Sequence, residues 1–292
     1  MTLGILGGSG IYDLSGLRDT RWVEIKTPFG APSDALLFGR LGDQELVFLP
    51  RHGRGHRIPP SAINYRANID ALKRAGVTDL LSVSAVGSLR EDLAPGTFVI
   101  VDQFIDRTVA RTSSFFGTGC VAHVSMAHPV CTRLGDRLQQ AAREAGIAAV
   151  RGGTYVVMEG PQFSSLAESR LYRSWGADVI GMTNLPEARL AREAELCYAT
   201  IAMVTDYDCW HPQHGEVSVE EILQTISHNT VRMQTLMTHA IPAVAADASA
   251  SACTCRRALD HAILTAPDAR DPELLARLDA VAGRVLKSPD VH

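Results

Sequence analysis

Short apolar and β-branched runs recur along the chain at residues 2–6, 46–50, 79–84, 97–102, 154–158, 177–182 and 197–205. Each closes on small or polar residues, which is the pattern of β-strands. The runs are continuous rather than alternating, so the strands are expected to be covered on both faces. Helical periodicity fills the spaces between them. One helix is expected over about 62–75, stopping at Gly76, and another over about 132–145, stopping at Gly146; glycine supplies the left-handed residue that ends a helix. Ser165-Leu166-Ala167-Glu168 reads as a capping box opening a helix that stops near Gly176. Ser218-Val219-Glu220-Glu221 opens another, along which Val219, Ile222, Leu223, Ile226, Met233, Leu236 and Met237 recur at helical spacing. Strands alternating with helices predict an α/β fold, a three-layer α/β/α sandwich around a mixed, largely parallel sheet. Residues 243–252 are small, polar and poorly patterned, and read as a linker to a helical extension over about 255–287. The expected division is a main domain over 1–242, with 243–292 packed on it as linker and extension.

Composition narrows the functional classes. The 292 residues are 46% hydrophobic and 21% charged, which excludes a disordered or low-complexity chain. Net charge is −4, with lysine and arginine scattered, so nothing offers a basic face to a nucleic-acid backbone. No apolar run approaches the ~20 residues that span a bilayer. The start, Met1-Thr2-Leu3-Gly4-Ile5-Leu6, carries no basic leader. The six cysteines are too sparse for a disulfide scaffold, which places the expected location in a reducing cytoplasm. Cys253-Thr254-Cys255 reads as two free thiols in a small-residue segment, with a redox or metal role as the alternative.

The candidate polar residues share a position: most directly follow a predicted strand. Ser9 follows the first, Arg51 and His52 the second, Ser84 ends the third, Thr183 follows the sixth, and Asp206 and Asp208 follow the last. Ligands of open α/β sheets bind outside the carboxyl ends of strands, so these residues are expected to converge. Gly7-Gly8-Ser9-Gly10 can let a backbone approach an anion, but it is neither a dinucleotide fingerprint nor a Walker loop. Arg51-His52-Gly53-Arg54-Gly55-His56 reads as an anion clamp, or as an exposed basic loop; the glycines disfavour His52 and His56 as helical metal ligands. Asp206-Tyr207-Asp208 places two carboxylates after an apolar strand, where burial and mutual repulsion raise at least one pKa and leave a carboxyl able to act as a general acid; exposed loop acids are the alternative, and a metal site a third, with no matching histidine or carboxylate cluster nearby.

These motifs in this order resemble the trimeric purine nucleoside phosphorylase superfamily, most closely its methylthioadenosine-cleaving branch. Matching stretches include residues 4–10, Thr27–Asp34, Arg51–Arg54, Asn64–Asn68, Ala85–Arg90, Asp102–Thr108, Glu159–Ser165, Gly181–Glu187 and Ala202–Trp210, and the likeness covers about residues 3–240. The resemblance implies a phosphate site from Ser9, Arg51, His52, Ser84 and Thr183. It implies substrate contacts from Ala85, a ribose contact from Met182, and adenine recognition by Phe163, Asp206 and Asp208. It implies a 5′-methylthio pocket lined by His123, Val219, Ile222 and Leu223, the last three competing with plain core packing, and His123 coming from a neighbouring subunit. The implied reaction is phosphorolysis of S-methyl-5′-thioadenosine to adenine and S-methyl-5-thioribose 1-phosphate. Phosphate is a co-substrate, and no cofactor, metal, nucleic acid or membrane is involved; a homotrimer, or a dimer of trimers, is expected.

The residue types suit that chemistry. Adenine leaves only if its imidazole ring is protonated or strongly hydrogen-bonded, which a neutral carboxyl supplies. An ionised carboxylate suits the 6-amino group, whereas a 6-oxopurine presents an acceptor there. The two aspartates therefore favour a 6-aminopurine over the alternative, a 6-oxopurine nucleoside or methylthioinosine. A non-catalytic nucleoside binder has no need of Arg51, His52 and Ser84 together. Ser9, Gln162 and Asn184 depart from residues common in the family.

Overall fold

The computed structural model describes residues 2–8, 14–213 and 219–286, apart from the side chain of Glu221. Ser9 and the Ser218 cap lie outside the described residues. Eleven strands are found among those described: β1 (Thr2–Gly7), β2 (Arg18–Val23), β3 (Leu36–Leu41), β4 (Gln44–Pro50), β5 (Val77–Ser88), β6 (Phe98–Val101), β7 (Gln103–Arg107), β8 (Ala149–Arg151), β9 (Thr154–Met158), β10 (Val179–Gly181) and β11 (Cys197–Asp206). The helices are α1 (Tyr65–Arg74), α2 (Thr132–Glu144), α3 (Leu166–Ser174), α4 (Asn184–Glu193), α5 (Val219–Ala245), α6 (Pro272–Arg277) and α7 (Gly283–Leu286).

The strands form one mixed sheet. Its path runs β2-β3-β4-β1-β5-β10-β9-β7, and β11 joins β5 to β6 and β8. The central pairings β4–β1, β1–β5 and β5–β11 are parallel. β2–β3, β3–β4, β5–β10 and β6–β11 are antiparallel. Helices α1 and α4 cover one face, through Ile69, Leu72, Ala188 and Leu190. Helices α2 and α5 cover the other, through Leu134, Leu138, Met233, Leu236 and Met237. The fold is thus a three-layer α/β/α arrangement in which β1, β5 and β11 are buried on both sides, as their unbroken apolar runs require.

The helix signals act as the sequence indicates. Gly76 and Gly146 adopt left-handed φ values of 81° and 66° just beyond α1 and α2. The Ser165 hydroxyl accepts from the Glu168 N–H, and the Glu168 carboxylate accepts in return from the Ser165 N–H at 2.8 Å.

Three expectations change. First, β5 does not end at Ser84 but runs to Ser88, because Ala85–Gly87 pair with β11 and Gly87–Ser88 with β10. Second, α5 extends to Ala245, so it takes in the first residues assigned to the linker. Third, the region after it is helical only in short pieces rather than as one helix. It holds 3-10 turns at Ala248–Ala252, Thr254–Arg257 and Pro267–Ala269, followed by the short α6 and α7. Pro267 and Pro272 each open a new turn, since proline cannot sit inside a helix without losing a hydrogen bond. This segment still packs on the main body: Leu259, Ala262, Leu278, Val281, Ala282 and Val285 belong to the same apolar cluster as Leu6, Leu72 and Leu190.

Candidate active site

The site is built where two neighbours of β5 part company. Along one edge, β1 pairs with β5 as far as Leu6 opposite Ser82. The next strand on the path, β10, begins pairing only at Gly87. The other edge is paired with β11 throughout. Between Ser82 and Gly87, Ser84 and Ala85 therefore face a gap in the sheet rather than a neighbouring strand.

Arg51 fills the base of this gap. It follows β4 directly, and its N–H donates to the Gly7 carbonyl at 3.0 Å. Its guanidinium is buried and donates to the Leu6 carbonyl (3.2 Å) and the Val83 carbonyl (2.9 Å), satisfying the ends of the two diverging strands. It also donates to Ser82 Oγ (2.6 Å) and to Glu187 Oε2 (2.7 Å). Burial alone would weaken its hold on the proton, but the Glu187 carboxylate more than offsets this and keeps the charge firmly in place. Glu187 in turn accepts from the Tyr198 hydroxyl at 2.9 Å, and Asn184 donates to Tyr198 and Thr200. The fork is thus engaged largely from inside the fold. Of its five N–H groups, one on Nη1 has no acceptor among the described residues. The reading of an exposed basic loop does not hold for Arg51.

His52 lies beside it. Its Nδ1 is 2.9 Å from the Ile58 carbonyl, so in the neutral ring that nitrogen carries the hydrogen. Burial pushes its pKa down to about 4; the Ile58 bond opposes the fall and the Arg51 charge adds to it. The ring stacks on His56 with centroids 4.1 Å apart, an arrangement unlike two side chains converging on one ion. Arg54 pairs with Asp34 and sits over Trp22.

Ser84 and Thr183 do meet. Their hydroxyl oxygens are 3.2 Å apart, and Ser84 Oγ is 3.1 Å from the buried Tyr155 hydroxyl. The approach depends on Gly181, where a Cβ would overlap the Tyr155 hydroxyl. Met182 is held by its backbone: Arg111 Nη1 donates to the Met182 carbonyl (2.6 Å) and the Leu185 carbonyl (2.7 Å).

The aspartates form the opposite end. Asp206 Oδ1 accepts the Asp208 N–H at 2.7 Å, and Oδ2 accepts from the Thr205 hydroxyl at 2.7 Å. Asp208 adopts a left-handed φ of 51°. Its Oδ2 is buried without a hydrogen-bond partner among the described residues. Burial raises both carboxyl pKa values. Thr205 and the Asp208 N–H oppose the rise at Asp206; at Asp208 the nearby Ser169 hydroxyl opposes it and the Asp206 charge adds to it, reaching about 6. The turn is anchored by Tyr207, whose hydroxyl donates to the Glu91 carbonyl, and by Trp210, whose indole N–H donates to the Ser88 carbonyl at 2.7 Å and lies under Arg173. Gly87 touches this end: a Cβ there would stand 3.0 Å from Asp206 Oδ1 and 3.3 Å from the Asp208 Cβ.

Residues Ser84 and Gly87 therefore mark two ends of one site, hydroxyls and a fixed cation at one and two acids at the other. Three residues of extended strand separate them by ~10 Å, the room a pentose needs. Ala85 lies half-buried between them. Phe163 is 45% exposed, and Val219 and Leu223 are 61% and 60% exposed, with Ile222 half-buried. Plain core packing therefore does not explain the first turns of α5. His123 is exposed, and its backbone N–H is tied to the Ala262 carbonyl of the C-terminal segment. Sequence reasoning assigned no role to Glu187, Arg111 or Tyr155. The first stood in a quoted block, but nothing local distinguishes a buried counter-ion from a surface acid.

Comparison with known proteins adds an independent finding. The sequence model of the phosphorylase superfamily matches residues 2–242. The chain is 60% identical over 285 residues to the S-methyl-5′-thioadenosine phosphorylase of Cereibacter sphaeroides, covering 98% of each. It is 52% identical over 282 residues to that of Geobacter sulfurreducens, covering 96% of this chain and 98% of the other. Among solved structures, a methylthioadenosine phosphorylase sourced from an antarctic soil metagenomic library superposes with a TM-score of 0.91 at 48% identity, covering 96% of this chain and 98% of the other. The methylthioadenosine phosphorylase of Schistosoma mansoni in complex with adenine superposes with a TM-score of 0.83 at 39% identity, covering 88% and 96%.

Proposed function

The chain belongs to the phosphorylase superfamily, and on that premise we propose that it cleaves S-methyl-5′-thioadenosine with inorganic phosphate, giving adenine and S-methyl-5-thioribose 1-phosphate. It is a pentosyltransferase. The observation that carries the assignment of roles is the spacing along β5. An anion end at Ser84 and an acid end at Gly87 are joined by one short, rigid stretch of strand.

Phosphate arrives ionised and needs no base. The site's task is to hold it against a sugar that develops positive charge. Ser84, Thr183 and the remaining Arg51 N–H would donate to its oxygens, and Ser9 would join them from the glycine-rich turn. With Nδ1–H committed to Ile58, neutral His52 presents Nε2 as an acceptor, and it becomes a donor once a bound dianion favours its protonation. Met182 and Ala85 would line the ribose. The acid pair would face adenine, one carboxyl donating a proton to the departing ring and the other accepting from the 6-amino group. The Asp206 charge adds to the rise at Asp208, which favours a proton there. Phe163 would cover the base. Val219, Ile222 and Leu223, together with His123 of a neighbouring copy in a trimer, would enclose the methylthio group; their exposure in a single chain supports this. The reaction requires no cofactor or metal. Among the described residues no helix is long and apolar enough to cross a membrane, in keeping with a cytoplasmic site of action.

The test is Asp206→Asn assayed on methylthioadenosine, adenosine, inosine and methylthioinosine. Loss of one general acid lowers the rate by about 10²–10⁴-fold. Cleavage of methylthioadenosine is expected to fall by that order while preference moves towards the 6-oxopurines. Full retained activity on the adenine nucleosides would remove the acid from its role.

A further inference from the structure

Four of the six cysteines meet at the start of β11, the end of that strand opposite Asp206. Cys131 caps the start of α2, Cys197 opens β11, and Cys253 and Cys255 flank the turn that begins the C-terminal segment. Their four sulfurs all lie within 4.8 Å of one another, and Cys131 Sγ and Cys253 Sγ are 3.6 Å apart. A zinc ion with bonds of about 2.3 Å to four sulfurs sets its S···S edges near ~3.8 Å, whereas a disulfide needs about 2.05 Å. The cluster is spaced as a coordination shell.

Its surroundings carry surplus positive charge. Arg192 Nη1 donates to Cys255 Sγ at 3.4 Å. Arg133 and Arg256 share Asp79, at 2.8 and 3.2 Å, and both guanidinium groups interact with the Cys197 sulfur. The Nε–H of each is buried without a hydrogen-bond partner among the described residues. Neutral thiols would leave these donors poorly matched. Four thiolates around a divalent ion carry a net charge of −2, which these arginines complement. Cys131, Cys197 and Cys255 are buried while Cys253 is partly accessible, giving an ion a route in.

We propose that Cys131, Cys197, Cys253 and Cys255 form a tetrathiolate site for Zn²⁺ that fastens the C-terminal segment to the start of α2 and β11. As the ion binds, the thiol protons pass to solvent and no electron is transferred. The role is structural: all four positions are filled by protein, leaving none for substrate.

The experiment measures metal content by mass spectrometry on full-length protein purified without chelator or metal resin, and follows Co²⁺ uptake by the reduced apoprotein. One Zn²⁺ per chain is expected, and Co²⁺ should give the intense tetrahedral visible bands and near-ultraviolet charge transfer of thiolate coordination. Cys120→Ser, outside the cluster, should keep both, and Cys255→Ser should lose them. The Co²⁺ spectrum of the unmutated chain decides the matter even if Cys255→Ser fails to fold. Absence of thiolate-to-cobalt bands from the reduced protein would overturn the proposal. So would cysteines paired in disulfides, with no metal, in protein as isolated.

Discussion

Asp208 shows how the role proposed for a buried acid opposes stability. A carboxyl moved from an ordinary 3.8 to about 6 by burial destabilises the folded chain whenever it is ionised, by at most ~3 kcal/mol. Because the folded value lies above the unfolded one, that cost is full above about pH 6 and fades as pH falls towards 4. Asp208→Asn is therefore expected to raise the melting temperature at pH 8 and to change it little at pH 4, while lowering turnover. Scanning calorimetry at both pH values checks this, and an unfolding temperature lowered at pH 8 would contradict it. Under the proposed roles, the alkaline limb of kcat/KM reports the same acids in the free enzyme. The variant should shift or abolish that limb, and an unchanged limb would show that another group titrates. Arg51 presents the converse case. Its buried charge is tolerable because Glu187 lies at 2.7 Å. Removing one partner of such a pair costs about 3–5 kcal/mol, so Glu187→Gln is expected to lower stability by that order in urea unfolding while leaving the acids intact. A change under about 1 kcal/mol would mean that the pair does not hold the strand ends as described.

At the level of elements, the central device is a strand whose neighbours separate. The gap between β1 and β10 along β5 leaves Ser84 and Ala85 without a strand neighbour on that edge while the β11 side stays paired. Gly181 lets β10 approach Tyr155 closely enough for the hydroxyls of Ser84 and Thr183 to meet. Gly181→Ala should push these apart and raise the KM for phosphate more than that for the nucleoside; equal increases would point to general loosening. Much of this geometry was legible beforehand. Runs such as Ile201-Ala202-Met203-Val204 and the Ser165–Glu168 box encode their elements locally, and the placement of Arg51, Ser84, Thr183 and Asp206 at or near strand ends could be read from the same runs. What escaped were features fixed by tertiary partners. β2 is an exposed polar edge strand, the last residues of β5 are extended because β11 and β10 pair with them, and α4 begins with Asn-Leu-Pro, where Leu185 is not helical. The buried network beneath Arg51 escaped for the same reason: Glu187, Tyr198 and Asn184 are remote from it in sequence and become partners only when the layers close.

Across the whole molecule, the C-terminal segment begins beside the α2 and α5 layer at Cys255 and ends in the α1 and α4 layer at Val285. It contributes Leu259, Ala262, Leu278 and Val281 to the main core, so a chain ending at residue 252 is expected to lose cooperative unfolding in near-ultraviolet circular dichroism. A sharp transition at the full-length temperature would show instead that the segment is dispensable. The proposed reaction needs phosphate and a purine nucleoside brought together along β5. Its most direct test is the stoichiometry of methylthioadenosine cleavage with and without phosphate. Adenine and a sugar 1-phosphate should appear in equal amounts, and only when phosphate is present. Adenine released at the same rate in phosphate-free buffer, with free methylthioribose as the other product, would contradict it.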